Sequence, residues 1–304
     1  MPPTSTGSSS PREPAGGAPP RAPARPSEIA DRLERLGVRP SRSSGQSFLC
    51  DPFAADIEVA LLELPAGTGV TEIGGGLGLL TEALLRRGIS PLRVLERDRR
   101  LARHLRGLFG DRVRVEEVDA REYDFPPGEG VIGNLPFSSA SVILQRLFPR
   151  RPPRVVALVQ QEVGERLAAS PGGSAFGRPT IQAQLYGSVE QFATVPAHSF
   201  YPVPAVDAVT IRFTPRAGTL PVDSPARLEE LVRHIFAWRR KQLGRTLANQ
   251  LGGAARAARL ASAAGWEAGW EHQRPEELPP EAYFALERAV AADEPAARSA
   301  GRNG

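Results

Sequence analysis

The sequence predicts an α/β domain built on a parallel sheet, followed by a small all-helical domain. Three observations point there. Between residue 27 and about residue 216, short apolar runs alternate with amphipathic, helix-period stretches. A glycine-rich turn joins one such run directly to a helical one. After Pro215 the strand-like runs stop and only helical patterns follow.

Taken in order, residues 1–27 are rich in Pro, Ser, Gly and Ala and carry almost no large apolar side chain, so they are expected to be a disordered extension. The prolines argue against an amphipathic transit helix, and no secretory hydrophobic segment is present. The α/β domain is expected over 28–216. Ile29, Leu33 and Leu36 mark a short first helix. Asp51 and Pro52 supply a cap and a first-turn proline for a helix over 53–64. Strands are predicted at 70–73, 92–95, 113–118, 131–133 and 155–159. Helices alternate with them at 79–87, 99–108, 140–148 and 162–169. Residues 189–195 and 206–213 read as a closing antiparallel pair. The helical domain is expected over 217–292, with helices at 226–236, 239–251, 254–264 and 280–292. Residues 293–304 read as a tail.

The chain has 304 residues, a formal charge of +4 and one cysteine. No apolar run reaches the length of a membrane span. Cys50 cannot form an internal disulfide and reads as a small apolar residue in a reducing, cytoplasmic setting. The four histidines are scattered without ligand spacing, so no metal site is expected. Positive charge is almost all arginine, and Lys241 is the only lysine. Residues 231–260 contain Arg233, Arg239, Arg240, Lys241, Arg245, Arg256 and Arg259 and no acid. A local basic face of this kind suits a phosphate-bearing partner, although an arginine-rich solvated helix face reads much the same.

The stretch "VTEIGGGLGLLTEAL" is a strand, a turn and a helix. Gly74, Gly76 and Gly78 let the backbone fold tightly and a ligand approach the helix N-terminus. The dinucleotide fingerprint needs a glycine where this chain has Leu79, which argues against a pyrophosphate-binding dehydrogenase. Glu96 ends the next strand, where a carboxylate takes the two hydroxyls of a ribose. Asp119 follows the third strand and is placed to accept from an adenine amino group. Either acid alone would read as a solvated loop residue. Three successive strand ends giving Gly, Glu and Asp imply an adenosine without phosphates, which S-adenosylmethionine fits.

"GNLPF" (133–137) ends the next apolar strand. The Asn134 amide oxygen and a backbone carbonyl can hold an exocyclic amine by its two N–H groups. Phe137 can stack on the base that carries the amine, and Pro136 restricts φ between them. Standing alone, the stretch would read as a turn with a buried ring.

These pieces together resemble the ribosomal RNA adenine N6,N6-dimethyltransferases, most closely the bacterial small-subunit type. The motifs are "GQSFL" (45–49), "EIGGGLGLLTEAL" (72–84), "LERD" (95–98), "GNLPF" (133–137), "QQEVGERLAA" (160–169), "FGRPTIQAQLY" (176–186), "VPAHSFYPVPAVDAV" (195–209) and "FAWRRKQLGRTL" (236–247). The resemblance covers about 44–292. It implies a Rossmann-like S-adenosylmethionine-dependent methyltransferase domain and a small helical RNA-binding domain. It implies cofactor contacts at Ser47, Leu49, Gly74, Gly76, Glu96, Asp119 and Asn134, and a catalytic loop of Asn134, Leu135, Pro136 and Phe137. The target adenine is then expected to stack between Phe137 and Phe200. Arg239, Arg240, Lys241 and Arg245 are expected to hold RNA phosphates, and the partner is ribosomal RNA within a 30S particle, met by a monomer.

The chain departs from the family pattern at Ser47, Gly75, Phe137 and Ala205. Phe137 keeps the stacking face of the usual tyrosine. Ser47 is shorter than the usual Asn or His, and Ala205 replaces a lysine. Two rivals remain at this level: a resistance-type enzyme acting on large-subunit RNA, and an RNA-binding assembly factor without turnover. "QQEVGERLAA" and the helical domain favour the small subunit; Gly74, Glu96, Asp119 and Asn134 favour an enzyme.

Overall fold

The computed structural model describes residues 24–40 and 45–300, with side chains through residue 293. The elements begin with α1 (Pro26–Arg35), β1 (Phe48–Leu49), α2 (Pro52–Ala60), β2 (Val70–Ile73), α3 (Leu79–Arg86), β3 (Leu92–Leu95), α4 (Arg99–Phe109) and β4 (Arg114–Glu116). They continue with β5 (Gly130–Asn134), α5 (Ala140–Leu147), β6 (Val155–Gln160), α6 (Gln161–Leu167), α7 (Arg178–Tyr186), β7 (Gly187–Val195), β8 (Phe200–Tyr201) and β9 (Ala208–Pro215). Four helices end the chain: α8 (Pro225–Ala237), α9 (Leu243–Leu251), α10 (Ala254–Ala263) and α11 (Pro280–Ala300).

Local chemistry sets several boundaries. Asp51 accepts from the Phe53 N–H at 2.9 Å and Pro52 follows, which opens α2. Asp98 accepts from the Arg100 N–H at 2.8 Å and opens α4 in the same way. Ser224 caps α8 by accepting from the Arg227 N–H at 3.3 Å.

Seven strands form one sheet in the order β4-β3-β2-β5-β6-β9-β7. β4, β3, β2, β5 and β6 run parallel, and β9 and β7 close the edge antiparallel. The strand order reverses between β2 and β5. In an open α/β sheet that is where a ligand crevice forms, outside the strand carboxyl ends.

Alternation along the strands covers both faces. Ile132, Val156 and Leu158 pack toward α2, α3 and α4 with Ala55, Val59, Leu84 and Leu105. Val131, Val155, Ala157 and Val159 pack toward α5 and α6 with Ile143, Leu144 and Leu167. Leu228, Leu231, Val232, Leu243, Leu247, Leu260 and Phe284 form the core of the helical domain, to which Ile181 and Leu185 of α7 also belong. That helix ties the two cores together.

Some sequence expectations need correction. The expected extension 1–27 lies outside the described residues up to position 23. From Ala24 the chain is packed on the body: its N–H donates to the Cys50 carbonyl at 3.0 Å, and α1 begins at Pro26. The expected tail from residue 293 is helical through Ala300, and 301–304 lie outside the described residues. The helix expected over 239–251 starts only at Leu243. A tight turn, with the Lys241 N–H on the Trp238 carbonyl at 2.7 Å, separates it from α8. α7 and the two-residue pair β1–β8 carry no strong period in the sequence and have no counterpart among the expected elements. Cys50 is buried, and burial pushes its thiol up to about 11, as suits a small apolar residue.

Candidate active site

The crevice at the strand reversal is lined by Ser47, Leu49, Gly74, Gly76, Glu96, Asp119, Asn134 and Pro136. Every cofactor position expected from the sequence therefore borders one cavity. Each reaches it by a different route, set by the chain's local folding.

The turn after β2 supplies Gly74, Gly76 and Gly78 with φ of 78°, 53° and 89°, in the left-handed region that favours glycine. The Gly74 N–H donates to the Leu95 carbonyl at 2.8 Å, which draws the turn over the end of β3. A Cβ at Gly75 would sit 2.4 Å from Val94 and 2.7 Å from Leu105, so this chain fills from its core the space that a larger residue needs there.

Glu96 is 4% exposed at the end of β3. Its two oxygens accept from the Gly76 N–H at 3.0 Å and the Asp98 N–H at 2.9 Å. Burial raises its pKa, and these two N–H groups oppose the rise. Each oxygen keeps a second lone pair for an incoming hydroxyl. Asp119 sits three residues past β4, and the Arg121 guanidinium chelates it with a 2.7 Å contact. That arginine holds its carboxyl below the usual range.

Asn134 ends β5, two strands from Glu96. Its Nδ2 donates to the Ser47 carbonyl at 3.1 Å. A carbonyl can only accept, so this bond fixes the amide orientation and leaves Oδ1 as the free acceptor. Ser47 thus holds Asn134 through its backbone, and its shorter side chain is immaterial to that contact. The Phe137 N–H reaches the Gly45 carbonyl at 3.2 Å, so the "GQSFL" segment clamps the 134–137 loop twice. Leu135 is buried in the core against α5, so only its backbone is available for chemistry.

Phe137 borders a second hollow beside the first, walled by Gly45, Ser47, Gln160, Pro202 and Ala205. Gln46 and Ser47 belong to both. Phe200 does not face Phe137 in parallel. The rings meet edge to face, with centroids 6.3 Å apart and planes at 64°, and Phe200 is fully buried. A planar base does not fit between rings so inclined, so a sandwich requires Phe137 to swing. Phe200 belongs to the buried core and borders neither hollow.

The basic stretch 231–260 is acid-free only in sequence. Folding brings Glu276 within 3.6 Å of Arg239 and Asp293 within 2.8 Å of Arg256 and 2.7 Å of Arg259. Arg239 also donates to the Ser174 carbonyl at 2.7 Å and helps hold the 173–174 loop. Arg240, Lys241 and Arg245 remain exposed, next to a Trp238 that is 61% exposed.

Sequence reasoning missed two groups that border the cavity, Glu58 of α2 and Glu72 of β2. Both are completely buried. A charged residue inside the apolar β2 run was a readable signal for Glu72. Glu58, in "DIEVA", looks like an ordinary polar helix position and gave none.

A Rossmann-like sheet with a glycine turn after β2, a buried acid at the end of β3 and an amide at the end of β5 fits the class of S-adenosylmethionine-dependent methyltransferases. Within it, the profile of ribosomal RNA adenine dimethylases matches residues 39–265, and the chain belongs to that family. It is 38% identical over 281 residues to the ribosomal RNA small subunit methyltransferase A of Anaeromyxobacter dehalogenans, covering 85% of this chain and 96% of that protein. In fold it is similar to a dimethyladenosine transferase from Plasmodium falciparum (TM-score 0.69, 22% identity, 82% of this chain and 98% of that one). It is also similar to the 23S rRNA methyltransferase ErmE (TM-score 0.64, 23% identity, 80% and 99%). At those identities the two structures speak for the fold alone.

Proposed function

We propose that this chain transfers methyl groups from S-adenosylmethionine to N6 of adenines in small-subunit ribosomal RNA, giving N6,N6-dimethyladenosine. We place the reaction in the cytoplasm, on a 30S particle during its assembly, with the enzyme acting as a monomer. The observation that carries this is the convergence of Gly76, Glu96, Asp119 and Asn134 on one crevice at the strand reversal.

The residues present fit the cofactor. Glu96 offers lone pairs to a ribose diol, Asp119 an ionised acceptor to an adenine amine, and Glu72 a buried oxygen that has no partner among the described residues. The bound cofactor supplies an electrophilic methyl. The protein's part is positioning. Asn134 Oδ1 and the Leu135 carbonyl accept the two N6 hydrogens, which turns the amine lone pair toward the crevice. Phe137 covers the extruded base, and base–aromatic stacking of roughly 1–3 kcal/mol offsets much of the cost of unstacking. No side-chain base is needed, because the attacking amine is neutral and the methylated ammonium is a strong acid that loses its proton to water. Arg240, Lys241 and Arg245 hold RNA phosphates at a distance from the chemistry.

Glu96→Ala tests the cofactor half. It removes a charge-assisted acceptor worth roughly 1.5–3 kcal/mol, so S-adenosylmethionine affinity should fall about tenfold or more by calorimetry. Unchanged affinity would place the cofactor elsewhere.

A further inference from the structure

Three phenyl or indole rings are exposed among the described residues: Phe53 at 65%, Phe192 at 37% and Trp238 at 61%. Phe192 lies under the Arg212 guanidinium, whose carbon is 4.7 Å from the ring centroid. Phe53 follows the Asp51 cap and precedes Asp56, so acids flank it. Trp238 differs from both. It closes α8 with a ring that makes no hydrogen bond and no ring contact among the described residues. The other two tryptophans are engaged: Trp266 Nε1 donates to the Ala282 carbonyl at 3.1 Å, and its ring meets Trp270 edge to face at 5.4 Å.

The backbone under Trp238 is fixed. Its N–H donates to the Ile235 carbonyl at 3.2 Å, and its carbonyl accepts from the Lys241 N–H at 2.7 Å. Arg239 ties the same turn to the Ser174 carbonyl at 2.7 Å and to Glu276 at 3.6 Å. The turn is thus anchored on one side and presents the indole, Arg240 and Lys241 to solvent. Neither Arg240 nor Lys241 forms an ion pair among the described residues. A flat apolar ring between free cations matches a partner that carries negative charge and a flat face together. An acidic peptide would need an aromatic side chain at the same spot, whereas every unpaired nucleotide has both groups.

We propose that Trp238 is a stacking platform for an unpaired RNA base, whose flanking phosphates Arg240 and Lys241 hold. This rests on the basic face being an RNA contact and goes beyond it: the RNA there is single-stranded, because the bases of a duplex are closed to a ring. The turn is already rigid, so little ordering entropy is lost on binding. Trp238 borders neither hollow of the candidate active site, so it acts on RNA affinity and placement and touches no reacting atom.

The test measures binding of the full chain to a mixed-sequence single-stranded RNA, and to the same sequence as a blunt duplex, over a series of salt concentrations. Trp238→Ala should weaken single-strand binding by about fivefold to a hundredfold and change duplex binding little. The slope of log affinity against log salt should stay at the wild-type value, because no phosphate contact is lost. Trp238→Phe should recover most of the affinity. RNA should quench part of the tryptophan emission, and that part should be missing in Trp238→Phe, which keeps Trp266 and Trp270 as an internal reference. The melting temperature of Trp238→Ala should match wild type, since the ring has no partner inside the fold. Unchanged single-strand affinity in Trp238→Ala, or an equal loss on the duplex, overturns the proposal. So does a loss seen with 30S particles and not with free RNA, which would assign Trp238 to a protein contact. In each case the basic face stands or falls separately, on whether replacing Arg240, Lys241 and Arg245 lowers the salt slope.

Discussion

The crevice at the sheet edge and the basic face of the helical domain are built on opposite principles. Groups in the crevice are fixed by backbone: Glu96 by two N–H groups, Asn134 by the Ser47 carbonyl, the turn by three left-handed glycines. Groups on the basic face depend on which acids the fold delivers. Arg239, Arg256 and Arg259 are taken up by Glu276 and Asp293, distant in sequence, Arg233 lies 3.9 Å from its helix neighbour Glu230, and Arg240, Lys241 and Arg245 stay exposed. Strand topology thus makes a chemical site legible locally, whereas the availability of a surface charge is a property of the whole fold.

The sharpest way to break this contrast is Asn134→Ala. It removes one positioned acceptor and leaves the sheet intact. Misplacement of a reacting atom by about 1 Å costs on the order of a hundredfold, so single-turnover methyl transfer should fall at least that far while RNA affinity holds. A near-normal rate would reduce the amide to a turn residue.

On the basic face, replacing Arg240, Lys241 and Arg245 together with alanine should weaken RNA binding. The slope of log affinity against log salt should fall by roughly 0.7–0.9 for each phosphate that is no longer neutralised. Arg239→Ala should behave differently, lowering the melting temperature by releasing the 173–174 loop while leaving the salt slope unchanged. Equal salt effects from Arg239 and its exposed neighbours would erase the distinction between structural and free arginines.

A smaller effect concerns stability. The Glu58 carboxyl sits at about 8 in the fold against an ordinary value of 4.5. A raised carboxyl contributes stability that is fully present below the unfolded pKa and is lost as pH rises through the folded one. Between about pH 5 and 8 the folded state holds the extra proton, so wild-type stability should decline across that window by up to a few kcal/mol. Glu58→Leu should flatten that decline, and its melting temperature relative to wild type should rise with pH. Parallel pH profiles would show that Glu58 is ionised and paired in solution.

The parallel sheet was legible because its parallel strands, apart from the three-residue β4, are largely apolar runs of four to six residues that alternate with helices, and Asp51-Pro52 and Asp98 mark helix starts with known chemistry. The crevice was legible for the same reason: its groups fall at strand ends. Other features depend on distant contacts. α7 mixes faces, because Ile181 and Leu185 serve the helical core while Ala183 serves the sheet. β1 and β8 are two residues each and exist only by pairing with each other. The edge-to-face set of Phe137 on Phe200 and the buried Glu58 are outcomes of packing, with no local trace.

The central claim is that one crevice methylates adenine N6 in small-subunit RNA. Purified protein should be incubated with labelled S-adenosylmethionine and 30S particles from cells lacking the modification, and the RNA digested to nucleosides. The account predicts label in N6,N6-dimethyladenosine, at adjacent or single adenines of the small-subunit RNA, and its near absence with Asn134→Ala. Label confined to large-subunit RNA, or full labelling by Asn134→Ala, would contradict it.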